Sequence, residues 1–347
     1  MLVDLSSTER APAAPAPSGR RAVRAAGLPV CVVLLALLAV ASVMVGAKDL
    51  SPAQVWHGLF QDTGTYGDAV VGERLSRTVL GLLAGSALGL AGGVLQALTR
   101  NPLADPGLLG INAGACAAVV TAITFLGVTS PGGYVWFAFL GAAAVGALVW
   151  FLGGGRGVTP VRLVLAGTAI GAVLFGYLQA VMIMDEAALA RMRFWTVGSL
   201  SAATGRTIVE VLPFFVVGTV LALALARPLN ALEMGDDTAR ALGAHPNRTR
   251  GLAMLAATVL CGAATAACGP IVFVGLMVPH AVRSFTGPDL RWILPYAALL
   301  APVLLLGADV LGRIVVRPSE LQVGIVTAVL GGPVFLHLVR RRRTVTL

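Results

Sequence analysis

Residues 74–115 read RLSRTVLGLLAGSALGLAGGVLQALTRNPLADPGLLGINAGA, an apolar helix striped with glycine that ends in a polar Asn-Pro hairpin. Gly81, Gly85, Gly89 and Gly93 recur at strict i+4 spacing. One helix face is therefore bare of side chains, which lets a second helix pack backbone against backbone. Arg74 and Arg77 stand at the entrance of this helix, three residues apart on one face, and Asn101-Pro102 breaks it at its exit. The glycine face is a packing surface, and the two polar ends are the candidate functional regions.

The rest of the chain places this helix in a membrane. Of 347 residues, 57% are apolar and only 12% charged, with a mean hydropathy of +0.87. These values exclude an ordinary soluble domain and predict an all-α integral membrane protein. The formal charge of +9 would point to nucleic acid in a soluble chain. Here most arginines flank apolar spans, where they set orientation, so a nucleic-acid partner is not expected. Cys31, Cys116, Cys261 and Cys268 all lie within apolar segments without paired spacing, so neither a disulfide framework nor a thiolate metal site is expected.

Apolar runs long enough to cross a bilayer occur near 28–47, 78–98, 106–126, 133–152, 161–183, 207–226, 251–268, 292–312 and 322–339. The apolar stretch 251–282 is too long for one crossing and holds Gly269-Pro270 in its middle, so it is split there into two, giving ten transmembrane helices. Charge parity agrees. With ten crossings the N-terminus and the Arg340 to Arg343 cluster are both cytoplasmic, and 17 of the 25 Lys and Arg residues fall on that side. Residues 1–27, Ala/Pro-rich with Arg10, Arg20, Arg21 and Arg24, are expected to form a disordered cytoplasmic arm. Residues 28–340 are expected to form the ten-helix membrane domain and 341–347 a basic tail.

No catalytic constellation or metal-ligand pattern is present. The histidines His57, His245, His280 and His337 are far apart, and Asp309 is the one acid close to the end of a span in an otherwise apolar setting. An ion-coupled carrier ordinarily needs ionisable groups inside the bilayer, so their scarcity counts against that mechanism. The only lysine is Lys48, so a phosphate-binding G-x-x-x-x-G-K-[ST] loop is absent, and ATP, if used, must be hydrolysed by another polypeptide. The largest polar loop, PLNALEMGDDTARALGAHPNRTR at 228–250, reads as two short helices with an elbow at Gly235. Asp236 or Asp237 is expected as the N-cap of the second, with Gly243 and Pro246 as its stop.

Several blocks in order carry a resemblance. They are RLSR at Arg74 to Arg77, Gln96 with RNPLADPGLLG at Arg100 to Gly110, LAG at Leu165 to Gly167, FWTVGSLS at Phe194 to Ser201, and ALGAHP at Ala241 to Pro246. They continue with GPIVFVGLMVPHAVR at Gly269 to Arg283, ADVLGR at Ala308 to Arg313 and ELQVGIVTAVLGGPVFL at Glu320 to Leu336. The chain resembles the permease subunits of iron-siderophore and cobalamin ABC importers, the FecCD type.

The resemblance implies a type II ABC importer permease fold in a bacterial cytoplasmic membrane, with both termini cytoplasmic. It implies a second permease subunit, identical or related, a cytoplasmic ATPase dimer that binds ATP and magnesium, and an extracytoplasmic substrate-binding protein. No cofactor or metal is implied in this chain, which is not itself an enzyme. Arg74, Arg77 and Arg313 would form an outer basic patch for acidic residues of the binding protein, with an i,i+4 bond from Arg313 to Asp309 as the competing reading. Gly235, Asp236, Asp237, Arg240, Ala241, Leu242 and Gly243, in coupling helices at about 228–248, would contact the ATPase. Asn101, Pro102, Gly269 and Pro270 would mark broken helices near the pathway. Pro160, in Thr159-Pro160-Val161, departs from the small hydroxyl residues common in the family's gate, so no gate is assigned there. The cargo expected is a ferric siderophore. Cobalamin and haem importers share these motifs and stay open as alternatives, as does an ion-coupled secondary transporter.

Overall fold

The computed structural model describes residues 17–46, 50–61, 64–128, 130–154, 159–201 and 203–343, which hold fourteen α-helices and one 3₁₀ turn. In chain order the helices are α1 (Pro17–Met44), α2 (Pro52–Phe60), α3 (Tyr66–Thr99), α4 (Ile111–Leu126), α5 (Pro131–Leu152), α6 (Pro160–Met184) and α7 (Glu186–Trp195). They continue with α8 (Gly205–Ala224), α9 (Ala226–Glu233), α10 (Asp236–Ala241), α11 (Pro246–Cys268), α12 (Val274–Thr286), α13 (Leu290–Val315) and α14 (Val323–Arg343). Seven of them, α1, α3, α5, α6, α8, α11 and α13, are long and apolar enough to cross a membrane. The apolar part of α14, Val323–His337, and α4 are shorter.

The glycine stripe sets the centre. A Cβ at Gly85 would lie 2.5 Å from the Cα of Pro302, and one at Gly89 would lie 2.6 Å from the carbonyl oxygen of Ala297. Helix α13 thus lies directly on the bare face of α3, as the spacing predicts. On another side of α3, Gly92 meets the backbone of Gly275 in α12 with no room for a side chain. The most apolar stretches of α3 and α11 are 78% buried, against 17% for α1 and α6. Helices α3 and α11 therefore form the interior, and the peripheral helices present Val173, Ile183, Val216 and Val220 outward, as a lipid-facing surface does.

Proline in the centre of α13 is tolerated because its missing bond is replaced. Pro302 has no N–H to give to the carbonyl of Ala298, and the Ser86 hydroxyl of α3 donates to that carbonyl at 2.7 Å. The same residue that lets Gly85 pack thus frees the acceptor that Ser86 fills.

The apolar stretch at 251–282 is broken where Gly269-Pro270 predicts. Helix α11 stops at Cys268, Gly269 takes φ +72°, and α12 starts after Phe273, which is itself left-handed at φ +70°. The free helix end is covered by the segment after α7: the Ser199 amide donates to the Cys268 carbonyl at 2.7 Å, and the Gly324 amide donates to the Gly198 carbonyl at 3.1 Å.

Three expectations change. The first concerns the N-terminal arm, because α1 already begins at Pro17, inside the segment read as disordered; residues 1–16 lie outside the described residues. The second concerns the run at 106–126, which is not one helix. Asp105 caps a 3₁₀ turn at Pro106–Leu109, Gly110 turns left-handed at φ +71°, and only then does the 16-residue α4 begin. The third is the appearance of α2 and α7 in segments read as connections. Each is short and starts with a side-chain cap, a Ser51 and Gln54 capping box for α2 and Asp185 for α7. Lys48, Arg156 and the end of the basic tail at 344–347 lie outside the described residues.

Candidate functional site

Three polar or hollow regions stand out, one at each end of α3 and one beyond it, lined by the hairpin, α4, α6 and α12. At the N-terminal end of α3 the arginines singled out by sequence do converge. The Arg77 guanidinium donates to both oxygens of Asp309, at 2.7 to 3.0 Å, and to Glu320 at 2.6 Å. Arg313 pairs with the other face of Asp309 at 3.0 Å and donates to the Ser42 carbonyl at 2.8 Å and the Val45 carbonyl at 2.9 Å. Arg74 donates to the carbonyls of Val43 and Met44. The free carbonyls at the end of α1 are thus closed by arginines from α3 and α13.

At this end the three arginines of the expected outer patch are largely buried and lie among acids. Arg74, Arg77 and Arg313 are 6%, 8% and 1% exposed. Glu73 and Glu320 line the same shallow pocket of about 290 Å³, and Asp309 lies behind it, so the three cations face three acids. The physical reason is burial: guanidinium groups among packed helices need carboxylates and carbonyls at hand. For Arg313 the i,i+4 bond to Asp309 is the reading that the structure realises.

At the opposite end, α9 and α10 form the two short helices read from the sequence, with Gly235 at φ +110° as the elbow. Helix α10 closes in a Schellman motif: the Gly243 amide donates to the Arg240 carbonyl at 3.0 Å, the Ala244 amide to the Ala239 carbonyl at 2.9 Å, and Gly243 takes φ +78°. The expected N-cap is corrected. Gly235 occupies the cap position without a side-chain bond, and Asp236 is the first helical residue. Its carboxylate is held instead by Arg250 at 2.7 and 2.9 Å and by Arg100 at 2.9 Å. Burial raises its pKa, but hydrogen bonds and charge from Arg250 and Arg100 outweigh this and hold it below the usual carboxylate value. Around this anchored acid, Met234 and Leu242 are 67% and 64% exposed, and Asp237, Arg240, Ala241 and Gly243 face outward with them. Two apolar knobs among polar neighbours on a rigid double turn make a surface suited to a protein partner.

The third region is a cavity of about 670 Å³. Its walls are Leu103 and Leu108 of the hairpin, Leu174 and Phe175 of α6, Phe273 and Leu276 beside and on α12, and Phe335 of α14. The lining is apolar apart from Asp105, Asn112, Thr168 and Thr196. Pro270 lines this cavity, whereas Asn101, Pro102 and Gly269 do not. The Asn101 side chain accepts from the Leu103 amide at 3.0 Å, a local turn bond, and Pro102 borders a small polar pocket with Gln96, Arg100, Glu233 and Arg283. Sequence reading passed over Asp105 and Asn112. An acid between Ala104 and Pro106 inside an apolar run was the available signal.

A model of the FecCD transport family matches residues 34–341. The chain belongs to the FecCD transport family. It is 46% identical over 323 residues to the ferric enterobactin transport system permease protein FepD of Escherichia coli (strain K12), covering 92% of this chain and 96% of that one. It is 38% identical over 320 residues to the hemin transport system permease protein HmuU of Yersinia pestis, covering 90% and 94%. A solved structure described as an inward-facing conformation of a metal-chelate type ABC transporter superposes with a TM-score of 0.79 at 27% identity, covering 90% of this chain and 98% of that one. FecCD membership and the run of apolar helices make the chain a multi-pass membrane protein of the ABC permease type.

Proposed function

We propose that this chain is the membrane subunit of an ATP-driven importer and moves an iron chelate, a ferric siderophore, into a bacterial cytoplasm by alternating access. The observation that carries the reading is the apolar cavity of about 670 Å³ bordered by the hairpin, α6, α12 and α14 in a FecCD-family bundle. A volume of this order fits a ligand of several hundred daltons.

Ten of the fourteen helices are assigned to crossings: α1, α3, α4, α5, α6, α8, α11, α12, α13 and α14. The end bearing α9 and α10 is cytoplasmic, as are both termini, and the end bearing Arg77 and Asp309 faces outward. Met234, Gly235, Asp237, Arg240, Ala241, Leu242 and Gly243 seat on a separate ATPase subunit, which supplies the ATP and magnesium chemistry, while Asp236 fixes their position from below. Closure of the ATPase dimer then drives the cavity between outward-open and inward-open forms. A second permease subunit covers the open side of the cavity. The outer end meets an extracytoplasmic binding protein, with Arg74 and Arg77 bordering the shallow pocket there and Arg313 holding α1 and α13 beneath it.

Selectivity resides mainly in the binding protein, since the cavity offers only Asp105, Asn112, Thr168 and Thr196 for polar contact. The test of cargo is competition in proteoliposomes containing the chain, its ATPase and its binding protein. Radiolabelled ferric siderophore should accumulate and resist a tenfold excess of haem or cobalamin. The relative described as a hemin permease makes haem the second reading, and haem uptake in place of siderophore uptake would establish it.

A further inference from the structure

We infer that Arg100 is the positioning residue that transmits movement of the α9–α10 elbow to the wall of the cavity. The inference rests on the proposed seating of α10 on an ATPase and goes beyond it by naming the connection through the bundle.

Arg100 is the C-cap of α3 and one of two non-glycine residues among those described with a left-handed backbone, at φ +50°, ψ +31°. A bulky residue held in that conformation marks a position fixed by its surroundings. Here the surroundings are visible. The guanidinium forks onto the Leu232 carbonyl, with Nε at 3.1 Å and a terminal nitrogen at 2.6 Å, and the same terminal nitrogen reaches Asp236 at 2.9 Å. Leu232 lies in the last turn of α9 and Asp236 is the first residue of α10, so one planar group holds both sides of the Gly235 elbow.

On its backbone side Arg100 leads directly into the hairpin. The Asn101 amide is tied to the Gln96 carbonyl, the Asn101 side chain to the Leu103 amide, and the Ala104 amide to the Asn101 carbonyl, each at 3.0 to 3.1 Å. Leu103 and Asp105, which follow, line the cavity. The hairpin is therefore a short braced strut with Arg100 at one end and the cavity wall at the other. A second connection between the elbow and the cavity is looser. The pair Arg283–Glu233, which joins α12 to α9, has both contacts at 3.4 Å. Gln96 adds stiffness on that side through its donation to the Leu276 carbonyl at 3.1 Å.

A strut makes a different prediction from an anchor. An anchor holds the folded complex together, so its loss removes hydrolysis and transport in proportion. A strut couples two sites, so its loss leaves each site working and lowers the yield of one from the other. The experiment compares the wild-type chain, Arg100→Ala and Arg100→Lys, each reconstituted with its ATPase and binding protein, and reads ferric siderophore accumulated per ATP hydrolysed at equal amounts of assembled complex.

Arg100→Ala is expected to keep hydrolysis while the ratio falls on the order of tenfold, within the span of typical couplings between sites. Arg100→Lys keeps the charge but loses the fork, and is expected to lie between the two. If Arg100→Ala lowers assembly, the Lys variant carries the test on the same ratio. A ratio that stays at the wild-type value in both variants overturns the assignment, whether or not total uptake falls. The underlying seating is tested separately by Leu242→Asp, which should prevent association with the ATPase. If association survives that change, the seating is wrong whatever Arg100 does.

Discussion

Asp309 has no exposed surface and two arginines on it, Arg77 and Arg313, each within 3.0 Å. Taking the acid away leaves two buried cations facing each other, which costs more than the pair contributes. Asp309→Asn is therefore expected to destabilise the protein by roughly 3 to 5 kcal/mol, the cost of breaking a buried ion pair from one side. The check is the midpoint of thermal unfolding in detergent, and a midpoint within a degree of wild type would contradict it. Ser86 gives a smaller test. Ser86→Ala orphans the Ala298 carbonyl opposite Pro302, with an expected loss of about 1 to 3 kcal/mol by the same assay. At this scale the sequence was half legible. Asp309 stands out as an acid at the end of a span, and its bond to Arg313 follows from i,i+4 spacing. Its bond to Arg77, 232 residues away, depends on α13 lying on the glycine face of α3, and no local pattern prints that register. The acids paired within the outer patch were missed on the same ground, because charge counted along a chain does not reveal which acid folds back upon it.

Helix α3 was the most legible element, because a four-residue glycine repeat has few uses other than close packing. Gly85→Leu should separate α3 from α13, since its side chain would occupy the backbone of Pro302. Expression as folded, monodisperse protein should be lost, whereas Gly72→Leu, on an exposed turn with open space beside it, should express as wild type. The break at Gly269-Pro270 was equally plain, since both residues interrupt a helix by their own chemistry. Helices α2 and α7 were not visible, being too short for a clear period and betrayed only by their caps. The cap of α13 provides a pH test. Bonds from the Arg291 side chain lead in depressing the Asp289 carboxyl, with burial opposing and the Arg291 amide and Asn230 assisting, and hold it at about 2. A depressed carboxyl contributes stability that is full above its unfolded value of about 3.9 and is lost as pH falls toward 2. The wild-type protein should therefore lose its advantage over Asp289→Asn progressively as pH falls from about 5 to about 2, where that titration runs. An unfolding difference constant across that interval would refute the assignment.

For the whole molecule, the residues that seal, pack and link the bundle are arranged along a single helix. Arg74 and Arg77 close one end of α3, the glycine face holds α13 and α12 against its middle, and Arg100 at its other end grips the α9–α10 elbow. The class of protein and most of its spans were written in composition and hydropathy, because a bilayer imposes length and apolarity on each crossing. The cavity was not, because its wall is assembled from five separate stretches of chain and its one acid, Asp105, looks in sequence like a turn residue. The central claim is that this hollow carries cargo inward only when another subunit hydrolyses ATP. Its most direct test is uptake of radiolabelled ferric siderophore by liposomes holding the chain with its ATPase and binding protein, with ATP present or withheld. The account predicts accumulation that requires both ATP and the binding protein; equal uptake without ATP would contradict it.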